Sequence, residues 1–371
     1  MSKIKRSKKY QQHLLLLSGL VVMNSAAAIE VTKDFYLPAA VDYDTNIRMS
    51  SKDEKEILRF TLNPRVKLSA SDELNTYSFD ASLFMAKSSD ENVSENRRDP
   101  TADLGWARSF ERGDFSVLAH YNKASIRTSE LTSSGAVFSD ESSINKSLNA
   151  NLNYLLSDRF TLGTGVGYQK QNYTGAGLSN FNTKNLSFKL THLYSEKVTP
   201  FYQYSMSNFK DEDLGRNSIS KNFSAGVNYY VNPKLNLMVS AGVNHVNAVG
   251  NSWIGSSTAE YGLDDNSAMT AALSRSVSAS GLGGFQKSDS FSLGYTRDLT
   301  QKDRLGVNYV WDINRSINDS RFMQLSGWYA RDLSTDWSLR LTAQQRNLKS
   351  TNQSADGSQI GLSIVYNQLN F

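Results

Sequence analysis

From about Phe35 onward, apolar and polar side chains alternate with a period of two, the spacing of a strand whose two faces meet different surroundings. In 304–314, Leu305, Val307, Tyr309, Trp311 and Ile313 alternate with Gly306, Asn308, Val310, Asp312 and Asn314. In 160–168, Phe160, Leu162, Val166 and Tyr168 share one face, and Thr161, Gly163, Gly165 and Gly167 the other. The pattern predicts eighteen strands, over 36–49, 57–68, 74–87, 101–111, 114–127, 144–156, 159–173, 184–195, 197–209, 218–231, 234–247, 257–263, 267–277, 289–299, 304–315, 321–333, 337–348 and 358–371.

One corner recurs between these segments: LLSDRFTL, YYVNPKLNL, RDLTQKDRL and RDLSTDWSL each place small turn-forming residues between an apolar residue and renewed alternation. Such tight corners, at 69–72, 157–158, 232–233 and 300–303, alternate with longer polar stretches at 88–100 and 128–143. Short turns on one rim and longer loops on the other are the rhythm of a transmembrane antiparallel β-barrel. In hydrocarbon every backbone N–H and C=O needs an internal partner, so strands cross a membrane only as a closed barrel. The expected fold is therefore all-β, a barrel of about 18 strands with 16 as the alternative, its short turns periplasmic and its longer loops extracellular. An even count puts both chain ends on the turn rim. The mean hydropathy of −0.46 agrees, because only the outward half of each strand meets lipid.

A soluble sandwich or β-solenoid would also be rich in strands, but would not predict aromatic residues at the ends of apolar faces. Phe115, Tyr154, Phe160, Tyr229, Tyr309, Trp311 and Trp337 fall where membrane-interface girdles are expected. The chain closes on Leu369-Asn370-Phe371, which resembles the C-terminal signal read by barrel assembly machinery. Ile360, Leu362, Ile364 and Tyr366 have the opposite phase from Leu369 and Phe371, which implies either a bulge near Asn367 or a different register for the last strand.

The N-terminus has a different grammar. Lys3, Lys5, Arg6, Lys8 and Lys9 precede the apolar run Leu14 to Met23 and the small residues ending at Ala28, the order of a secretory signal peptide. The expected organisation is a signal peptide over 1–28 and one barrel domain over 29–371 in the bacterial outer membrane. Removing five positive charges turns the formal +4 into about −1, which takes away the support for nucleic acid as a partner. The chain has no cysteine, hence no disulfide framework.

No nucleophile elbow, zinc motif or phosphate-binding glycine loop occurs, and His13, His120, His192 and His245 are scattered. GLGG at 281–284 reads as a loop tip, and Asp264 and Asp265 as turn formers. The expectation is a non-enzyme with no cofactor and no metal; an outer-membrane hydrolase would need a Ser, His and acid meeting at one rim.

The lumen-facing charges are more informative. Phase places Asp42, Asp44 and Arg48 on the first strand, Arg59, Arg65 and Lys67 on the second, Asp80 on the third, Lys189 on the eighth, and Arg340 and Arg346 on the seventeenth. A barrel of this size leaves an aqueous interior in which charges stay hydrated. Neighbouring opposite charges can pair; alternatively Arg59, Arg65 and Lys67, beside Arg340 and Arg346 once the barrel closes, form a basic stripe that favours anionic solutes. No loop is long enough to predict a large folded-in constriction, so any narrowing is expected from side chains or modest loops.

The opening strand AVDYDTNIRMS, the corners SDRFTL and NPKLNL, and ALSRSVSASGLGGFQKSDSFSLGYTRDL at 272–299 together resemble a family of outer-membrane barrels. These are the porin-like proteins associated with exopolysaccharide and exosortase systems in Gram-negative bacteria. The resemblance implies a barrel in exopolysaccharide export or surface assembly, with export components as partners beside outer-membrane lipid and the assembly machinery. Two features depart from it: the lumen charges are mixed in sign, and no helical-repeat domain precedes the barrel. The alternative function is a diffusion porin for small hydrophilic or anionic solutes.

Overall fold

The computed structural model describes residues 29–129, 140–175, 177–247, 249–315, 319–351 and 354–369. The strands are β1 (Glu30–Asp44), β2 (Ile57–Leu62), β3 (Arg65–Ser71), β4 (Asn75–Ser88), β5 (Arg97–Phe110), β6 (Gly113–Ser125), β7 (Ser142–Ser157), β8 (Phe160–Tyr173), β9 (Phe181–His192) and β10 (Val198–Asp211). They continue with β11 (Asn217–Asn232), β12 (Leu235–Val246), β13 (Gly250–Asp264), β14 (Ser267–Ser280), β15 (Gly284–Asp298), β16 (Asp303–Arg315), β17 (Ser320–Asp332), β18 (Trp337–Ser350) and β19 (Ser354–Leu369). One helical turn, α1 (Ile126–Ser129), follows β6.

Apart from β2 and β3, which each pair with β1 and β4, every strand pairs antiparallel with its sequence neighbours, and β1 pairs with β19 to close the sheet. The nineteen segments make an eighteen-position barrel, because β2 and β3 occupy one position. Their pairing register to β1 is continuous: Leu62 lies opposite Ala39 and Arg65 opposite Tyr36. Pro64 interrupts the ladder because it has no N–H to donate, while its carbonyl still accepts from Leu83 at 3.1 Å.

The repeated corners have one physical cause. Asn232 Oδ1 accepts from the backbone N–H of Lys234 and Leu235, Thr300 Oγ1 from Lys302 and Asp303, and Ser334 Oγ from Asp336 and Trp337. A side-chain oxygen thus replaces the strand partner that the turning backbone lacks. Bulges at Tyr230/Asn232, Leu155/Ser157 and Gly262/Asp264 lie at three of these corners. These side-chain-capped corners sit on the rim that carries Glu30 and Leu369, the periplasmic rim of such a barrel; the opposite rim mixes the longer 45–56 and 89–96 loops with a tight turn at 281–283.

Phase follows from register. Phe60, Leu104, Val166, Phe223, Leu325 and Leu362 are exposed outward and form the lipid-facing wall. An aromatic ring circles the turn rim: Tyr154, Phe160, Tyr229 and Trp337 point outward there, Phe115 meets Trp106 edge to face at 5.7 Å, and Trp337 meets Tyr366 at 4.9 Å. Tyr309 and Trp311 differ from the rest of the expected girdle. They lie six and eight residues above the start of β16, at mid-wall and in the outer half.

No bulge lies near Asn367: pairing with β1 runs unbroken through Asn367 opposite Tyr36 and Leu369 opposite Asp34. Leu369 therefore shares the lumen-side phase of Gly361 and Ser363, and Phe371 lies outside the described residues, as does the 1–28 segment.

Candidate functional site

Inward phase divides the lumen into two walls. On β11 to β15 the inward residues are mostly serine and asparagine, linked as hydroxyl and amide pairs: Asn244 Nδ2 donates to Ser220 Oγ at 2.6 Å, and Ser240 and Ser256 meet at 2.8 Å. On β1 to β6 and β16 to β18 the inward face carries the charges.

Asp42, Asp44, Arg59, Arg65, Lys67, Asp80, Lys189, Arg340 and Arg346 all have lumen phase, and most meet a partner. Arg65 Nε donates to Asp80 at 2.7 Å, with Lys67 4.0 Å from the same carboxylate. Arg59 lies 3.9 Å from Asp42, and Arg346 binds Asp44 at 2.6 Å. The expected basic stripe is thus interleaved with carboxylates, because β1 carries Asp42 and Asp44 between the arginines of β2 and β18. Arg340 and Lys189 instead stack on aromatic rings, Trp328 at 4.4 Å and Phe201 at 4.6 Å. Gly306 makes room for the Trp328 ring, since a Cβ there would sit 2.5 Å from its Nε1.

Arg48 corrects the sequence reading: β1 ends at Asp44, and Arg48 lies in the following loop, with its guanidinium on the Val93 and Asn92 carbonyls. Of the histidines, His120 faces inward and bonds Asp103 at 2.6 Å, whereas His192 faces outward and stacks on Phe160 at 4.3 Å. Asp264 Oδ1 accepts from Asn266, a turn contact. Among the described residues no group of three or more His, Asp or Glu is placed to hold a metal ion.

The outer mouth departs most from expectation. The 45–56 loop, whose 45–49 part was expected to continue the first strand, folds inward: Ile47 packs on Ile57 and Val93, and Met49 on Phe322, Leu348 and Ala355. Asn46 holds the fold, its Nδ2 donating to the carbonyls of Ser50 and Asp356 at 2.8 and 2.9 Å. On the other side Ile126, Tyr173, Phe181 and Phe209 form an apolar cluster with Phe285, and Ser179 N–H donates to the Gly281 carbonyl at 2.8 Å. A Cβ at Gly281 would lie 2.7 Å from the Tyr173 ring, so glycine is required for this contact.

What remains beneath the mouth is a chamber of about 510 Å³. Arg59, Arg97, Lys123, Arg127 and Arg346 line it with Asp44, Asp99 and Asp140, five cations against three carboxylates. Arg97 binds Asp99 at 2.6 Å and Lys123 lies 3.7 Å from it. Arg127 touches Asp140 and donates to the Ile47 carbonyl at 3.2 Å, tying α1 to the tucked loop. Nε of Arg59, Arg127 and Arg346 have no hydrogen-bond partner. Burial, with Arg59, Arg48 and Arg97 nearby, pushes the Arg127 guanidinium down to about 10 against the opposing pull of Asp44. Buried N–H donors and surplus positive charge make the chamber suited to an anion.

Sequence reasoning reached Asp44, Arg59 and Arg346 but not Arg97, Asp99, Lys123, Arg127 or Asp140. The first two fall in the polar stretch at 88–100, outside the strand expected over 101–111, whereas β5 begins at Arg97. Arg127 and Asp140 lie near the facing ends of β6 and β7, and no local pattern shows that they meet.

The architecture defines the class: a closed, antiparallel, eighteen-position barrel with an apolar outer wall is a bacterial outer-membrane β-barrel. Solved structures agree. The crystal structure of Acinetobacter baumannii OccAB4 aligns with TM-score 0.54 at 11% identity, over 93% of this chain and 99% of that one. Pseudomonas aeruginosa OpdQ aligns with TM-score 0.53 at 10% identity, over 92% and 100%. The siderophore receptor PirA from Pseudomonas aeruginosa aligns with TM-score 0.50 at 12% identity, over 93% and 81%. At these identities the likeness is one of fold. No family model matches the sequence, and no curated protein does.

Proposed function

We propose that the protein is a non-enzymatic diffusion porin for small hydrophilic solutes with a preference for anions. The observation that carries this reading is the outer chamber, where five cations outnumber three carboxylates around about 510 Å³. Below it the charged wall continues through Arg65, Lys67 and Arg340 toward the turn rim, facing a wall of hydroxyls and amides. Such a lumen draws anions by field and hydrates them by hydrogen bonding, without a covalent step. The likeness of fold to OccAB4 and OpdQ supports a barrel of this kind.

Exopolysaccharide export, the other function considered, rests on the sequence resemblance alone. Liposome swelling separates the readings: gluconate should enter faster than glucose, and glucose faster than glucosamine. Equal rates, or fastest entry of the cation, would remove the anion preference; no entry, combined with periplasmic polymer accumulation on gene deletion, would favour export.

A further inference from the structure

A lipid-facing barrel wall is ordinarily free of charge, because an arginine or carboxylate exposed to hydrocarbon is costly in a depth-dependent way. The outer half of β14 to β16 breaks this rule. Arg275, Asp289 and Arg315 share the outward phase of Leu273, Phe291 and Trp311. Arg275 Nη2 donates to Asp289 at 2.7 Å, Arg315 Nε donates to the same carboxylate at 2.8 Å, and the Arg275 guanidinium lies 3.9 Å above the Trp253 ring. Lys287 stands opposite Arg315 on the same face.

The cluster heads a groove of about 500 Å³ in the outer wall. Small residues, Ala241, Gly255 and Ser257, form its floor, and Trp253, Leu273 and Trp311 its sides. A largely apolar groove with Arg275 and Asp289 in its wall, Arg315 bound to that carboxylate beside it and Lys287 paired in register with Arg315 on the same face, is complementary to an amphiphile that carries negative charge at its head. Arginine at such a head matches phosphate oxygens with parallel N–H donors.

We propose that this groove binds a phosphorylated, multiply acylated glycolipid of the outer leaflet, with an acyl chain along Ala241 and Gly255 and a phosphate at Arg315 and Lys287. Asp289 holds Arg275 against Trp253 and orients Arg315, so the head of the site is built before the lipid arrives. The site lies on the wall opposite to the lumen and is independent of what the pore conducts.

The test is native mass spectrometry of the intact, detergent-purified barrel. It is offered an equimolar mixture of bis-phosphorylated lipid A, its dephosphorylated form and phosphatidylethanolamine. The bis-phosphorylated lipid should be retained about fivefold or more over either competitor, the discrimination one or two headgroup contacts supply. Arg315→Glu should abolish that preference while leaving acyl binding. Ala241→Phe, which fills the groove floor, should reduce retention of every lipid, and heat-modifiable migration in SDS checks that both variants fold. Equal retention of the three lipids by the native protein would overturn the proposal, as would retention unchanged by both substitutions. A dimer that Ala241→Phe dissociates would also overturn it, by assigning the groove to a second copy of the chain.

Discussion

Replacing Arg127 by glutamine tests the chamber most sharply, because the amide can keep the hydrogen bond to the Ile47 carbonyl while the charge is lost. A sphere of about 510 Å³ has a radius near 5 Å, which puts a wall charge about 7 Å from an ion at its centre. In a water-like dielectric one charge at that distance is worth roughly 0.6 kcal/mol, and screening at 0.1 M salt about halves it. The anion loses about 0.3 kcal/mol and the cation gains as much, so the anion-to-cation permeability ratio should fall about threefold. The assay is the reversal potential across a planar bilayer under a salt gradient. Raising the pH adds a second arm. With the guanidinium lowered to about 10, the folded state bears the cost of the buried charge below pH 10 and is progressively relieved of it as pH rises above that value. Native protein should therefore lose anion preference as pH passes through 10, and Arg127→Gln should lose less. An unchanged reversal potential in Arg127→Gln, with the same pH response as native protein, would refute the reasoning and remove Arg127 from the ion path.

Other consequences differ in kind. Arg346→Ala strands the Asp44 carboxylate, which is 1% exposed, and should destabilise the barrel by about 3–5 kcal/mol, read as a lower denaturant midpoint. Arg340→Ala strands no carboxylate, since Arg340 rests on Trp328, so it should lower anion preference with little change in the same midpoint. Gly281→Ala drives a Cβ into the Tyr173 ring and should displace the mouth contact, at about 1–3 kcal/mol, read as added current noise in single-channel records. The Asp72 carboxyl is held below the usual carboxylate range by N–H donation from Leu74 and Asn75. Its contribution to stability is present above the ordinary carboxylate pKa and lost as pH falls through the lowered one; Asp72→Asn should blunt that acid sensitivity in refolding yield.

How much of this was legible in sequence depends on how local the cause is. Strand and corner follow from residues near each other in the chain, so LSDRF or NPKL announces its turn wherever it occurs. Where one residue weakens the pattern, the edge is lost: β13 begins at Gly250, not near 257, because glycines and serines in GNSWIGSS hide the alternation. The lumen phase of Arg59, Arg65 and Arg346 was readable because period two carries over long strands. Their neutralisation was not, since Arg346 meets Asp44 across a seam joining positions 302 residues apart. The tucked 45–56 loop was out of reach for the same reason. Its anchors Phe322, Leu348 and Ala355 come from the far end of the chain, and Arg127 from the far side of the mouth.

Anion-preferring conduction through the lumen is what the outer chamber implies. The most direct test is the sign of the zero-current potential when native protein is reconstituted in a planar bilayer between dilute and concentrated KCl. Stable conductance steps with a potential set toward chloride are expected. A potential set toward potassium, or a bilayer that stays silent with folded, heat-modifiable barrel present, would contradict anion-preferring conduction.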